Sequence, residues 1–236
     1  MKKGNKMKTV IKTERLEKVY TDTAVPVHAL KEVSLEFTRG EFTAVVGPSG
    51  SGKTTFLNVI GGLDKPTGGS VFIGGIDIAS MKEGKLFDFR LKHIGFVFQS
   101  YNLLPVLTAL ENVSFIMLLQ KTPRKEMEER ARKMLEEVGL EDKLHVRPGR
   151  LSGGQQQRVA VARALASRPD FVLADEPTAN LDTESAFNLL DIMAKLNKEE
   201  NMTLIFSTHD QRVIQRARRV ITLVDGAVAK DEHFDR

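Results

Sequence analysis

One run of residues has the types and spacing needed to bind phosphate. It follows the pattern GxxxxGK[ST] and consists of Gly47, Pro48, Ser49, Gly50, Ser51, Gly52, Lys53 and Thr54. Glycines let the backbone wrap tightly, so that successive N–H groups point inward at phosphate oxygens. Lys53 can reach the outer phosphates of a nucleotide, and the hydroxyl of Thr54 can bind Mg²⁺. The alternative is a chance glycine turn, which is disfavoured by the strand pattern before the run and the helical pattern after it.

Two adjacent carboxylates, Asp175 and Glu176, follow the apolar run 171–174. Such a run is typical of a strand buried on both faces, and consecutive side chains at its end diverge. We expect Asp175 to hold Mg²⁺ through its hydration shell and Glu176 to accept a proton from an attacking water. Without the phosphate-binding run, two solvated acids at the end of a strand would be the simpler interpretation.

A second glycine turn opens another helical segment, at about residues 155–167. It consists of Leu151, Ser152, Gly153, Gly154 and Gln155. The start of a helix can bind an anion, yet the chain has only one lysine-bearing loop. If one site needs both elements, two copies arranged head to tail around a two-fold axis could supply them. The alternative is an ordinary helix with Ser152 as its N-cap.

The elements that must position these residues alternate along the chain. Short alternating segments between residues 10 and 42 predict antiparallel strands, and a hairpin closes the chain at about 220–228. Strands are predicted at 42–46, 71–73, 94–98, 171–174 and 203–207, and helices at 54–63, 109–138, 155–167 and 183–198. Strands that alternate with helices indicate a mainly parallel sheet, whose ligands bind at the carboxyl ends of the strands.

Composition excludes several other kinds of chemistry. The chain has 236 residues and no cysteine, which excludes disulfides, thiolate zinc sites and cysteine nucleophiles. Its net charge is only +4 and its aromatic content is 6%, so we expect no nucleic acid partner. Residues 1–18 lack the apolar stretch of a signal peptide, and the apolar run 113–119 is too short to span a bilayer. We therefore expect membrane contact only through a partner.

The order of the motifs resembles the nucleotide-binding domain of ABC transporters. The motifs that carry the resemblance are the phosphate loop, Gln99, the run 151–155, Asp175 with Glu176, the run 180–182, and His209. The resemblance implies an α/β fold with a RecA-like P-loop NTPase core, a mainly parallel sheet and an antiparallel β subdomain. It implies one domain over residues 1–236, in which about 101–167 form an inserted helical subdomain. The β subdomain and core would then comprise about 8–100 and 168–236.

The resemblance also implies roles in binding and hydrolysing ATP. Tyr20 would stack on adenine, with a core tyrosine as the alternative. Gln99 would touch Mg²⁺ and the attacking water, and His209 would hydrogen-bond the γ-phosphate. Asp182 would contact the opposite subunit, in addition to or instead of capping a helix. The implied ATP-binding set also includes the phosphate loop, Thr55, Ser152, Gly153, Gly154 and Gln155; the metal set is Thr54, Gln99 and Asp175; and the catalytic set is Glu176, His209, Gln99 and Lys53.

The resemblance extends to partners. It implies an ATP-dependent homodimer in the cytoplasm, held at the inner face of the cell membrane by an integral membrane subunit. Tyr101, Leu103 and Leu104 would line the groove that receives this subunit, unless their loop is simply packed in the core. Residues 60–67, 102–105 with 108–112, and 155–158 resemble the lipoprotein-releasing and macrolide-efflux ATPases. The related cell-division ATPase, which drives cell-wall remodelling, is the alternative.

Overall fold

The structure is a computed structural model, and it describes residues 8–21 and 25–235. The lysine-rich start, residues 1–7, lies outside the described residues. So do residues 22–24 and Arg236.

The described residues form eleven strands and seven α-helices. The strands are β1 Thr9–Tyr20, β2 Val27–Val33, β3 Glu36–Thr38, β4 Phe42–Val46, β5 Gly68–Ile73, β6 Ile76–Asp77, β7 Ile94–Val97, β8 Phe171–Asp175, β9 Thr203–Ser207, β10 Arg219–Val224 and β11 Ala227–His233. The helices are α1 Lys53–Ile60, α2 Glu83–His93, α3 Ala109–Leu119, α4 Arg124–Glu137, α5 Gly153–Ala166, α6 Thr183–Glu200 and α7 Gln211–Arg216.

Six strands form the central sheet in the order β11-β10-β4-β9-β8-β7. The five strands from β10 to β7 are parallel, and β11 pairs antiparallel at the edge. The predicted mainly parallel sheet is therefore confirmed. Because the strands are parallel, the loops after β4, β7, β8 and β9 leave the same edge of the sheet.

Both faces of the central sheet are buried, which explains its continuously apolar strands. In β8, Val172 and Ala174 join one core, and Phe171 and Leu173 join the other. The first core contains α6 and the three helices α3, α4 and α5. The second contains α1 and a smaller antiparallel sheet. Alternate residues of one strand thus fix two layers of helices against the same sheet.

The smaller sheet has the order β2-β1-β5-β6, with β3 also paired to β1. Its pairings are all antiparallel, as the short alternating segments predicted. The last residue of its long strand β1 is Tyr20, and this strand runs from the core to the edge where α1 begins.

The long helix expected over residues 109–138 is divided in two. Between α3 and α4, Lys121 adopts a positive φ of 61°, and Pro123 is the N-cap of α4. Proline cannot donate a helical hydrogen bond and disfavours helical geometry in the residue before it, so it starts a new helix here. Helix α2 was not predicted, and the helix expected at 54–63 ends at Ile60, before Gly61 and Gly62. Within residues 8–21 and 25–235, no helix is long and apolar enough to cross a membrane.

The first core depends on a stacked aromatic pair in the sheet. The rings of Phe42 and Phe206 lie 4.6 Å apart between centroids, and both side chains are buried. We expect Phe206→Ala to lower the free energy of unfolding by about 3–5 kcal/mol, because it leaves a cavity. Phe87→Ala, at a residue that is 48% exposed, should lower it by no more than about 0.5 kcal/mol. Urea denaturation measures both, and equal losses would contradict the central place of the pair.

Candidate active site

The phosphate loop connects β4 to α1, as predicted. Helix α1 begins at Lys53, and its N-cap, Gly52, has a left-handed backbone and no side-chain cap. The first N–H groups of a helix have no partner within the helix, so here they are directed at the cleft. Together with the helix dipole, these groups form an anion site.

Two positions of the loop accept only glycine, because the backbone of another segment lies very close to them. Gly47 has a φ of 150°, and a Cβ there would lie 2.1 Å from the carbonyl oxygen of Leu223. Gly52 has a φ of 98°, and a Cβ there would lie 2.3 Å from the carbonyl oxygen of Ala29. The loop therefore wraps tightly only because these positions lack side chains.

Lys53 extends back over the loop that precedes it. Its Nζ donates to the carbonyl oxygens of Gly47 and Pro48, each at 2.9 Å. An ammonium group has three N–H donors, so the third remains for a phosphate oxygen. The loop thus holds one positive charge, that of Lys53, at the N-terminus of α1.

Thr54 and Asp175 meet at the carboxyl end of the sheet. The Thr54 hydroxyl donates to the Asp175 carboxylate at 3.1 Å. Burial raises the pKa of Asp175, and the adjacent Glu176 raises it further, while the hydrogen bond from Thr54 opposes this. A partly buried carboxylate with a second carboxylate beside it gains from a nearby cation. In the described residues no group of three or more His, Cys, Asp or Glu side chains forms a metal cage. A hydroxyl and one carboxylate fit Mg²⁺, which is usually bound by one or two carboxylates, substrate phosphates and water.

Glu176 directly follows the last residue of β8, and its contacts differ from those of Asp175. Its φ is 45°, a left-handed value, and its N–H donates to the carbonyl oxygen of Ser207 at 2.8 Å. One carboxylate oxygen lies 2.8 Å from Nδ1 of His209, and the other accepts from the Thr208 hydroxyl at 3.3 Å. The predicted base and the predicted γ-phosphate ligand therefore contact each other directly. The His209 side chain is 75% exposed, so its other nitrogen is accessible.

A cleft of about 580 Å³ runs along the phosphate loop. Besides loop residues, it is lined by Tyr20, Thr55, Glu176 and Asp225. Tyr20 thus lines the same cleft as the phosphate loop. It is anchored there, because its hydroxyl donates to Asp64 Oδ2 at 2.8 Å.

The second glycine turn lies elsewhere on the surface. Ser152 is the N-cap of α5 and forms a capping box with Gln155. Its hydroxyl oxygen accepts from the Gln155 N–H, which leaves the hydroxyl hydrogen to donate. The described residues that line the phosphate cleft do not include 152–155. A Cβ on Gly153 would lie 2.9 Å from the Tyr101 hydroxyl, and one on Gly154 would lie 2.8 Å from Ser185 Oγ. Both glycines therefore allow close packing at this helix start.

Gln99 is exposed just after β7, and its carbonyl oxygen accepts from the Asn180 side chain at 3.0 Å. Beyond Ser100, two consecutive residues have left-handed φ values, 59° at Tyr101 and 50° at Asn102. Their carbonyl oxygens accept from the guanidinium of Arg163, a residue of α5. The segment that follows Gln99 is therefore fixed to the helix that begins with Gly153.

An apolar groove lies beside this segment, but only one of three expected residues lines it. Leu104 lines the groove with Phe87, Phe98 and Leu119. Leu103 packs instead against the core of the helical layer. Tyr101 turns its hydroxyl towards Gly153 rather than into the groove. The two departures follow from the left-handed turn at 101–102, which a sequence pattern does not show.

The segments after β8 and β9 are tied together by residues that the sequence did not single out. The buried Thr178 donates to Asp210 Oδ2 at 2.6 Å, and Arg212 forms an ion pair with the same carboxylate. Although burial opposes it, the hydrogen bonds from Arg212 and Thr178 lower the pKa of Asp210 to about 2. Asp182 caps α6 by accepting from the Ser185 N–H at 2.9 Å, so the predicted cap is present.

Comparison with known proteins agrees with this geometry. Residues 30–179 match the family model described as ABC transporter. The lipoprotein-releasing system ATP-binding protein LolD of Legionella pneumophila is 46% identical over 93% of this chain and 96% of its own length. The macrolide export ATP-binding/permease protein MacB of Aggregatibacter actinomycetemcomitans is 43% identical over 94% of this chain but 34% of its own length. A dimeric post-hydrolysis structure of the ATP-binding cassette MJ0796, bound to ADP and Pi, is 42% identical and covers 96% of this chain and 99% of its own, with a TM-score of 0.89.

The lowered pKa of Asp210 makes its contribution to stability depend on pH. A carboxylate with a depressed folded-state pKa stabilises the fold above its ordinary pKa and loses this effect as pH falls through the folded value. We expect Asp210→Asn to be less stable than the wild type at pH 7, with the difference shrinking as the pH falls from about 4 towards 2.

Urea denaturation at several pH values measures this difference. Asp191→Asn is the control, because it removes an ion pair whose carboxylate is 65% exposed and should change stability little at every pH. A constant difference for Asp210→Asn between pH 7 and 3 would contradict the assignment.

Proposed function

The chain belongs to the ABC transporter family of ATP-binding proteins, and on this premise we propose that it hydrolyses ATP between two head-to-tail copies to drive a membrane partner. The observation that carries the proposal is the cleft that the phosphate loop and Glu176 line together, with His209 in direct contact with Glu176. A helix start of the required type, at Ser152, lies outside that cleft in the same chain.

ATP binding is supported by the groups along the cleft. The uncapped amides of α1 and the ammonium of Lys53 suit the phosphates, and Thr55 lies beside them. Tyr20 lines the same cleft and would stack on the adenine. Thr54 and Asp175, with Gln99, would hold Mg²⁺, which supplies positive charge for the phosphate oxygens when it is bound.

Hydrolysis requires a water aligned with the γ-phosphate and a base that accepts its proton. Glu176 is the proposed base, because one of its oxygens is fixed by Thr208 and the other by His209. A carboxylate so held is oriented before the substrate arrives, and this lowers the cost of reaching the reactive geometry. A histidine that donates to Glu176 through Nδ1 can donate to a phosphate oxygen through Nε2 only when it is doubly protonated. Lys53 and the loop amides would stabilise the charge that develops on the phosphoryl group.

The proposed dimer closes each site with the second glycine turn of the other copy. The Ser152 hydroxyl hydrogen and the first amides of α5 are available for the γ-phosphate of a neighbour. Asp182 and Gln155, which are also near helix starts, would lie at this interface. Because these contacts need the γ-phosphate, loss of that group would open the dimer, and ATP would shift a two-state equilibrium.

The proposed membrane partner binds the apolar groove beside Leu104. Two guanidinium groups, of Arg90 and Arg163, line this groove and donate to backbone carbonyls. Burial lowers the pKa of Arg163. A short helix with apolar side chains and one carboxylate would fit, because it would cover the leucine and phenylalanine side chains and pair with a guanidinium. Through this contact the chain would be held in the cytoplasm at the inner face of the membrane.

Lipoprotein release or efflux is the proposed task of the complex. The names of the LolD and MacB relatives support it, whereas the division-type alternative assigns the same ATPase cycle to cell-wall remodelling. The membrane protein encoded beside this chain separates the two. Four membrane segments with a large external domain would support release or efflux, and a resemblance to the division partner would support the alternative.

The role of Glu176 can be tested by removing only its charge. Glu176→Gln should still bind ATP but hydrolyse it at least about 100-fold more slowly, because no base takes the proton of the attacking water. It should therefore accumulate as a dimer in ATP and stay monomeric in ADP, as light scattering after gel filtration would show. Glu141→Gln, at an exposed glutamate of the helical layer, is the control. If Glu176→Gln hydrolysed ATP at the wild-type rate, Glu176 would not be the catalytic base. If the wild type hydrolysed ATP at its full rate while strictly monomeric, the proposal of a site shared between two copies would be wrong.

The groove can be tested with added negative charge. Leu104→Glu and Phe87→Glu should each weaken co-purification with the co-expressed membrane protein by about tenfold or more, because a carboxylate would be buried in an apolar contact. Val106→Glu is the matched control, since Val106 is 71% exposed and does not line the groove. Unchanged co-purification of both groove variants would exclude the groove as the docking site.

A further inference from the structure

The part of the cleft that would bind adenine contains a hydrogen-bonded network that takes no part in the proposed hydrolysis of ATP. Tyr20 is the last residue of β1, and its hydroxyl donates to Asp64 Oδ2 at 2.8 Å. Asp64 lies in the turn between α1 and β5. The hydrogen bond thus holds the Tyr20 side chain by its hydroxyl group, and the side chain lines the cleft.

Lys18 completes this network from the same strand. Its Nζ donates to Asp64 Oδ1 at 2.6 Å and to the carbonyl oxygen of Lys65 at 2.9 Å. The same Nζ lies over the Tyr20 ring, 4.8 Å from its centroid. The Lys18 side chain is only 11% exposed, so this ion pair is well shielded from water. One face of the ring is therefore covered by a cation, and a base can stack only on the other face.

The turn that carries Asp64 is itself fixed on both sides. The Thr67 N–H donates to the carbonyl oxygen of Glu17 at 2.9 Å, and the Thr67 hydroxyl accepts from the Val19 N–H at 3.1 Å. On the other side, the Asp64 N–H donates to the carbonyl oxygen of Asn58 at 3.2 Å, at the end of α1. Asp64 thus connects the helix that begins at the phosphate loop to the strand that ends at Tyr20.

We infer that Asp64 is a positioning residue for nucleotide binding, which holds the Tyr20 ring at a fixed place relative to the phosphate loop so that a purine can stack on its open face. The inference rests on the proposed ATP-binding function. It assigns Asp64 no contact with the nucleotide, and Lys18 acts with it by covering the opposite ring face.

The protonation states of the pair agree with this geometry. Burial, together with the hydrogen bond to Asp64, raises the pKa of Tyr20. Although burial opposes it, the hydrogen bonds from Lys18 and Tyr20 lower the pKa of Asp64. At neutral pH the phenol therefore donates and the carboxylate accepts. The other charged or titratable side chains lining the cleft are His28, Lys31, Lys53, Glu176 and Asp225.

Two probes of different chemistry test the inference on the full chain. Asp64→Asn should weaken the binding of Mg·ATP by about fivefold or more, because part of the stacking free energy is lost. Binding of inorganic triphosphate, which has the phosphates but no base, should be unchanged. Tyr20→Phe keeps a ring that can stack but cannot be anchored, so it should weaken Mg·ATP binding to a similar extent. The double variant should be no weaker than either single variant, because both remove the same hydrogen bond.

A spectroscopic measurement reports the contact directly. The chain has two tyrosines and no tryptophan, so in a Tyr101→Phe background the near-ultraviolet absorbance of tyrosinate comes from Tyr20 alone. Adding Asp64→Asn should lower the pH at which this phenol ionises, because the nearby negative charge is gone. Asp142→Asn, at a carboxylate that is 66% exposed on another part of the surface, is the control and should leave the titration unchanged.

The outcomes separate this inference from the proposed function. If the wild type binds both ATP and triphosphate but Asp64→Asn binds ATP equally well, the inference is wrong and the ATPase proposal stands. An unchanged titration of Tyr20 in Asp64→Asn would also overturn it. If Asp64→Asn loses triphosphate along with ATP, Asp64 supports the phosphate loop rather than the ring, which contradicts the inference. If the wild type binds neither ligand, the proposed function itself fails.

Discussion

The structure depends on one backbone constraint, namely that a helix must begin without a side-chain cap directly after a buried strand. A helix start leaves several N–H groups unpaired, and side chains usually satisfy them. At α1 the N-cap is Gly52, which has no side chain to do so, and the carbonyl oxygen of Ala29 lies where its Cβ would be. At α5 and α6, by contrast, Ser152 and Asp182 cap the helix. Among the described helices, α2 and α4 also begin without a side-chain cap, but of these three starts only that of α1 follows a strand of the central sheet, and the other functional groups are arranged around its amides.

The parallel sheet converts this local feature into a site. Because β4, β8 and β9 are adjacent and parallel, the phosphate loop, the pair Asp175 and Glu176, and His209 leave the same edge of the sheet. Each strand alternates its side chains between two cores, so the strand ends that carry the three loops are held by buried contacts on both faces of the sheet. The bond between Thr178 and Asp210 then ties two of these loops to each other. The geometry of the site is therefore set by packing at a distance from it.

Much of this could be predicted from the sequence because the evidence was local. The phosphate loop, the strand that ends at Asp175 and the cap at Ser152 each depend on residues that are neighbours in the chain. The contacts that were not predicted join distant segments. Tyr20 meets Asp64, Glu176 meets His209, and Tyr101 packs against Gly153 rather than lining the groove. No spacing rule predicts such pairs, because they arise only once the sheet brings the segments together. The left-handed turn at Tyr101 contains no glycine, and Asn102, a residue type that tolerates this geometry, was its one weak sequence signal.

The positions of the charged and hydrogen-bond-donating groups explain why one copy alone would form an incomplete ATP site. Under the proposed function, the cleft would hold the nucleotide against the phosphate loop, with Tyr20 at the adenine and with Glu176, which contacts His209, near the γ-phosphate. The γ-phosphate is the group farthest from the adenine. The phosphate loop alone would contact its negative charge from one side only. The donors that remain unused, at Ser152 and Gly153, lie on another part of the same chain's surface. A rotated second copy would bring them to that phosphate, and the two-fold axis would make both sites close or open together. Under the proposed mechanism, the two sites act cooperatively because each chain carries its phosphate loop and its second glycine turn on separate parts of its surface.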